Sequence, residues 1–363
     1  MNTMYDCDTD VRVFQNGEVT LNNEQQAEMR DRRGANRNRL KKGLEFNDDP
    51  VPCSNQAQGS YAMHTMVQDD NNDYDIDDGA VFPKTDLVGK QGAAKAALDA
   101  RKMVCAALDD GSFSTPPTVM KNCVRVFYKQ GYHVDIPVYR QHEDGTLELA
   151  SSVWKGSSPS EVSEWYNDAV CQKSPDTNNS RQLRRITRLI KYFTKSRESW
   201  KSRMASGLAI SVLVVECYVA DQRDDISFVK TIKAIRTRLQ FNLEVVHPVR
   251  NEMITHGNND PSTKFLCEKL DEAIDYLQVL FNYDCSRLEA LKSWKRVYPH
   301  QFWRKLISDE EHRLKEKSKQ EKADLLRKGN AGLAVAAGLT AVTTAPTVAR
   351  VKQTEAYGGK KSW

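Results

Sequence analysis

Two β-type runs, far apart in the chain and each acidic on one face, constrain the fold more than any other feature. The first, Tyr74-Asp75-Ile76-Asp77-Asp78-Gly79, opens a run over 74–82; the second, His133-Val134-Asp135-Ile136-Pro137-Val138, lies within 132–139. Successive side chains of a strand point to opposite faces. Tyr74 and Ile76 therefore share one face, and Asp75 and Asp77 the other. In the second run Val134, Ile136 and Val138 form the core-facing set, with Asp135 opposed to them. Carboxylates gathered on one face repel, which is costly unless a cation or solvent lies between them. If the two strands are neighbours, three carboxylates meet at one rim of a sheet.

The flanking sequence defines the sheet. Residues 121–128 form another β-rich run, and Lys129-Gln130-Gly131 between it and Tyr132 predicts a hairpin. Residues 88–108 are Ala-rich and predict a helix closed by Asp109-Asp110-Gly111. Strand, crossover helix and two paired strands make a mixed sheet with a helix packed on it. Ahead of it, the polar stretch 21–44 predicts a long surface helix, capped at Asn22 or Asn23 and weakened near Gly34. Beyond Ser160 the pattern is helical, over 161–170, 180–197, 206–220, 225–240, 262–281 and 309–327. The expectation is an α+β chain: a lead-in over 1–20, a sheet-bearing lobe over 21–172, a helical lobe over 173–327 and a flexible tail over 328–363.

Composition narrows the class. At 363 residues, 39% hydrophobic and 28% charged, the chain is neither collagen-like, wholly disordered nor a membrane protein. A net charge of +4 is too mild for a nucleic-acid coat. The eight cysteines form no C-x-x-C pair, and several lie in apolar runs such as Met103-Val104-Cys105, so reduced thiols are expected. Residues 1–12 carry three Asp and no apolar core of a signal peptide. The Ala- and Val-rich stretch 331–348 is interrupted by Gly, Pro and Thr, short of the ~20 strongly apolar residues of a membrane span. A cytoplasmic location without a membrane partner is the expectation.

Hard carboxylate oxygens suit Mg²⁺, and three of them can hold two ions, an arrangement used for in-line displacement at phosphorus. Two regions offer anion contacts. Gly59-Ser60, ahead of the first strand, predicts a donor-rich turn of backbone N–H groups and a hydroxyl. Residues 181–203 carry nine Lys/Arg and one acidic residue. On a helical wheel Leu183, Ile186, Leu189, Ile190 and Phe193 form an apolar stripe, opposite Arg181, Arg184, Arg185, Arg188, Lys191 and Lys195. Such a ridge is either a solvated basic face or, in part, a clamp on a polyphosphate. Ser206-Gly207 starts the next apolar helix and places a hydroxyl and N–H groups at its positive end. P-loop, G-x-S-x-G and G-x-G-x-x-G motifs are absent from the sequence, and its seven His show no metal-ligand spacing.

Gly59-Ser60, the run 74–79 and His133-Val134-Asp135-Ile136-Pro137-Val138-Tyr139 together resemble the cGAS/DncV-like nucleotidyltransferases of bacteria (CD-NTases), most closely the DncV branch. Glu164-Trp165-Tyr166-Asn167-Asp168, the segment 183–191 and Ser206 extend the similarity, which spans about 55–220. The resemblance implies a polymerase-β-like nucleotidyltransferase lobe and a helical lobe with the active site between them. It implies that Asp75 and Asp77 ligate two Mg²⁺ (or Mn²⁺) ions and Asp135 the one that activates a 3′ hydroxyl. It also implies that Gly59, Ser60, Lys191 and Ser206 hold the donor triphosphate. The implied activity is synthesis of a cyclic oligonucleotide, a cGAMP-like cyclic dinucleotide, from ATP, GTP or other NTPs. That product would be a second messenger in anti-phage (CBASS) defence. Implied partners are an effector reached through the product and a ubiquitin-ligase-like conjugating partner at the C-terminus. His64 stands where the branch has an acidic residue, and the 141–161 linker is shorter, so bases and product stay open. The alternatives are an RNA- or small-molecule-directed nucleotidyltransferase and a catalytically silent nucleotide- or RNA-binding regulator. No basic track extends beyond 181–203, so extended nucleic-acid binding is not expected.

Overall fold

The computed structural model describes residues 4–69, 75–89, 92–129, 131–178 and 181–336, without the side chains of Asp75 and of 328–336. The chain opens with α1 (Asp8–Phe14) and a π-helical turn to Val19. Val11, Phe14 and Val19 are buried in the helical core, so the lead-in expected over 1–20 is a packed part of the helical half. Next comes α2 (Asn23–Phe46), started by an Asn22–Gln25 capping box and unbroken at Gly34.

Then follow β1 (Ser54–Gln58), α3 (Gly59–Ala62), β2 (Asp75–Pro83) and α4 (Ala97–Leu108). The helix expected from 88 begins only at 97; ahead of it Val88 and Ala94 form an isolated antiparallel bridge. The remaining strands are β3 (Thr118–Val119), β4 (Val124–Phe127), β5 (His133–Ile136), β6 (Val138–Gln141), β7 (Leu147–Ala150) and β8 (Trp154–Ser157).

The expected hairpin is β4–β5. Its second run is cut at Pro137, which has no N–H to give the ladder. The same register offset to β2 continues on either side of it, pairing Asp77 with Asp135 and Ala80 with Val138. β2 is thus flanked by β1, antiparallel, on one edge and by β5 and β6, parallel, on the other. β4 and β3 extend the sheet beyond β5, and β7 and β8 extend it beyond β6.

One face of this sheet is dry. Ala80, Phe82, Val124, Val126, Val134, Ile136 and Val138 pack with α4 and the end of α2. Asp78 points the same way and is held bidentate by Arg37 of α2, at 2.6 and 2.5 Å. The alternate residues, including Asp77 and Asp135, face the other way, as period-two patterning predicts.

The helical half comprises α5 (Pro159–Lys173), α6 (Gln182–Lys195), α7 (Glu198–Lys201), α8 (Gly207–Cys217), α9 (Asp224–Phe241), α10 (Pro261–Leu277) and α11 (Arg287–Val297), then α12 (Gln301–Ala336). Of these, α11 falls where the sequence pattern announced no helix. The larger core lies here, around Phe193, Phe228, Trp294, Tyr298 and Trp303. All eight cysteines are free thiols.

The chain divides into two compact units, Met1–Ser308 and Asp309–Trp363. In the second, the helix continues to Ala336, through the first residues of the tail expected from 328. Its charged surface is stitched by short-range pairs such as Glu316–Lys319 at 2.8 Å. The rest of that tail, and most of the 331–348 stretch, lies outside the described residues. Among the described residues no helix is long and apolar enough to cross a membrane.

Candidate active site

The polar face of the sheet forms one wall of a cavity of about 670 Å³. The other wall comes from α6, α7, the start of α8 and the loop after α9. Gly59, Ser60, Asp77, Lys191 and Ser206 all line it. Five of the seven residues singled out in the sequence therefore meet in one space. Asp135 is the direct parallel-strand partner of Asp77, on the same face. Neighbouring strands lie ~4.8 Å apart, so these two carboxylates are adjacent. Asp75 is two residues up the same strand, paired through its backbone with His133; its side chain is outside the described set.

Gly59 is dictated by this geometry. Its φ of +62° favours glycine, and a Cβ there would lie 2.1 Å from the Asp77 carboxylate oxygen Oδ2. The turn thus presses directly on the acid. α3 then carries Ser60 into the cavity. Gly79 has a related role: a Cβ on it would meet the Tyr139 ring at 2.6 Å, so its absence lets that ring lie across β2.

The basic segment does not form a solvated face. α6 is buried on nearly every side, with Arg185 2%, Arg188 7% and Lys191 7% exposed. Its cations have separate tasks. Arg185 pairs with Asp224 and Asp176 inside the helical half, at 2.6 and 2.8 Å. Arg184 donates to the Met63 carbonyl at 3.0 Å and Arg188 to the His64 carbonyl at 2.9 Å. Lys191 donates to the Thr65 hydroxyl at 2.8 Å. The turn after α3 is thereby fastened to α6 residue by residue. Burial, reinforced by the like charges of Arg184 and Arg185, pulls the Arg188 guanidinium down to about 10.

Lys191 also approaches the α8 N-terminus: an ideal Cβ on Gly207 would stand 4.0 Å from its Nζ. Ser206 caps that helix, its Oγ accepting from the Ala209 amide at 3.2 Å. Lys195 and Lys201 line the same cavity. Lys201 is tied to buried Asp69 at 3.0 Å.

Several contributors escaped the sequence reading. Arg125 on β4 grips Asp135 bidentate, both bonds 2.7 Å, and so fixes the carboxylate plane. Its position opposite Asp135 in a hairpin is legible only once the β4–β5 register is known. Gln58, Tyr139, Ser157 and His247 also line the cavity. They come from β1, from β6, from β8 and from a loop; Tyr139 closes the run quoted above for the resemblance but was given no role there, and β8 and the loop carry no motif.

The donor set suits a hard divalent cation. Two adjacent carboxylates share a face, a third acidic residue lies on the same strand face by register, and one carboxylate is oriented by an arginine. Among the described side chains no three His, Cys, Asp or Glu already form a cluster.

Residues 54–139 match the family model described as the cyclic GMP-AMP synthase DncV-like nucleotidyltransferase domain. In fold the chain is similar to the Vibrio cholerae DncV cyclic AMP-GMP synthase, solved with the linear intermediate 5′ pppA(3′,5′)pG. That match has TM-score 0.64 and 15% identity, covering 82% of this chain and 96% of that one. It is similar to the Bradyrhizobium diazoefficiens CD-NTase CdnG in complex with GTP, at TM-score 0.65 and 14% identity, covering 84% and 98%. Escherichia coli DncV bound to 3′-deoxy GTP matches at TM-score 0.63 and 16% identity, covering 80% and 95%.

Proposed function

We propose that this chain, which carries a DncV-like nucleotidyltransferase domain within the fold of the cGAS/DncV-like nucleotidyltransferases, synthesises a cyclic dinucleotide or short cyclic oligonucleotide from NTPs. The observation that carries this reading is the single cavity in which the Gly59-Ser60 turn and Asp77 face Lys191 and Ser206 of the helical half. Asp75, Asp77 and Asp135 would hold Mg²⁺ or Mn²⁺, which supplies neutralisation of the triphosphate and acidification of the attacking hydroxyl. The protein's own share is positioning and charge. The N–H groups and hydroxyl at Gly59-Ser60 bind and orient the donor phosphates. Lys191, close to the capped start of α8, offsets charge that builds on the leaving pyrophosphate. Attack by an acceptor 3′ hydroxyl on the α-phosphorus forms the new P–O bond and breaks the α–β bridge. A second attack, by the 3′ hydroxyl of the turned linear product on its own α-phosphorus, closes the ring. In the cell, the product would act as a cytoplasmic second messenger in anti-phage defence, read by a separate effector. The C-terminal residues would be the place for a ubiquitin-ligase-like conjugating partner.

Incubating the purified chain with all four NTPs and Mg²⁺ or Mn²⁺, with mass spectrometry of the products, tests the reading. A cyclic product with pyrophosphate released is expected. A long, linear, primer-dependent product would transfer the same site to RNA extension. NTP binding with no product would make the chain a regulator.

Two variants separate the parts. Lys191→Met is expected to lower kcat/KM by about 10²-fold, because a charge aimed at the reacting phosphates is lost. The loss should be the same for every NTP, which steady-state kinetics will check. Arg125→Met removes the group that orients Asp135. It is expected to cost about 10- to 100-fold in activity or metal affinity, seen as a rightward shift of the Mg²⁺ titration with NTP KM nearly unchanged.

A further inference from the structure

One ring in the cavity wall has no part in the chemistry above. His247, in the loop between α9 and α10, is 8% exposed and lines the cavity. Its loop is fastened to the last strand of the sheet: Arg250 donates to the Gly156 carbonyl, and Glu252 pairs with Lys155 at 3.1 Å. The ring's Nδ1 accepts from the backbone N–H groups of Val249 and Arg250, at 3.3 and 3.2 Å. A ring nitrogen that accepts from N–H carries no proton, so the proton of the neutral imidazole sits on Nε2. Burial first, and the Arg250 charge next, hold the imidazole pKa below its ordinary value, which favours that neutral form. Among the described residues Nε2–H has no acceptor, yet it is not sealed inside the protein. A donor of fixed tautomer is thus left for whatever fills the cavity.

The neighbouring lining indicates what that is. Tyr139, Leu149, Pro159 and Val162 give apolar surface, with Gln58 and Ser157 as neutral polar groups. The lysines of the cavity come from α6 and α7 instead. Apolar walls with a few directed neutral groups suit a nucleobase better than a phosphate.

We propose that His247 Nε2–H donates to an acceptor atom on the base edge of the bound nucleotide, a keto oxygen or ring nitrogen, and so helps to set which NTP the site prefers. This rests on the nucleotidyltransferase reading. A base that turned an amino group toward Nε2 would leave two donors facing each other, both unpaired, and would be rejected.

The test uses the full chain and reads NTP binding directly, by competition against a fluorescent NTP analogue, alongside turnover. His247→Asn keeps an acceptor for the Val249 and Arg250 amides but is too short to present a donor at the Nε2 position. His247→Gln reaches that position with an N–H but gives up the turn contacts. The Asn variant is expected to keep the wild-type Tm, bind the favoured NTP about tenfold more weakly, and lose a similar factor from the preference among the four NTPs. The Gln variant should retain part of that preference. An Asn variant with unchanged Tm and unchanged preference would overturn the proposal. If the Asn variant does not fold, base analogues that delete one acceptor at a time decide on the wild type; indifference to all of them overturns it equally. Because binding is read separately, a His247-dependent preference without cyclic product would defeat the synthase reading and leave this inference standing.

Discussion

Asp77→Asn should abolish product formation, by about 10³-fold or more, or about 4 kcal/mol of transition-state stabilisation, while the protein remains folded. The two sides of one strand supply the argument. Asp77 faces the cavity, abuts Gly59 and neighbours Asp135, whose own charge is offset by Arg125. The amide keeps the shape of the side chain, so the fold should survive the change. The value of the charge lies in a ligand that only the working enzyme contains. Asp78, one residue on, faces the opposite way, 3% exposed and gripped by Arg37. Asp78→Asn leaves that guanidinium facing a neutral group and should cost about 1–3 kcal/mol of stability, with activity per folded molecule retained. Product assays and thermal melts on the pair make the contrast: a fully active Asp77→Asn would remove the basis of the proposed function.

What could be read from the sequence, and what could not, follows the range of the forces involved. Alternation along 74–82 and 132–139 is a local property, and it correctly separated Asp77 and Asp135 from Ile76, Val134 and Ile136 before any fold was known. The cap at Asn22 is equally local. β7 and β8 have no such signature. Leu147-Glu148-Leu149-Ala150 and Trp154-Lys155-Gly156-Ser157 are strands only because β6 offers them an edge, and with them went Ser157 as a cavity residue. His247 was equally invisible, since nothing near it in sequence says that its loop reaches β8. Ser206 was marked locally, as the start of an apolar helix; Lys191 was singled out through family resemblance, since the wheel alone could not separate it from five other basic residues.

The wheel also misjudged the burial of those residues, and the sharpest consequence falls on Arg185. Arg185→Met is expected to destabilise the chain by about 3–5 kcal/mol at neutral pH, without reference to any nucleotide. A polar helix face normally meets water, but here the N-terminal segment and α9 close over it. Asp8 accepts from the Asp224 amide, and Asp225 accepts from the Cys7 amide at 2.9 Å. Asp224, 1% exposed, receives Arg185 at two oxygens and Gln182 at a third contact, 2.6 to 2.9 Å. Burial by itself would raise the Asp224 carboxyl; Arg185, then Gln182 and Arg12, outweigh it and hold the carboxyl below its ordinary value. A depressed carboxylate stabilises the fold above its unfolded pKa, and that contribution fades as pH falls through the folded one. Without Arg185 the balance reverses: burial dominates, the carboxyl is raised, and the cost is greatest above that raised folded value and eases as pH falls from it toward the unfolded one and Asp224 takes up a proton. The deficit of the variant should therefore be widest near pH 7 and narrow toward pH 4 in denaturant titrations. Arg185→Met/Asp224→Leu removes both charges and should recover most of the loss. A deficit that is flat with pH, or undiminished in the double variant, would mean that Arg185 acts through packing and not through the buried carboxylate.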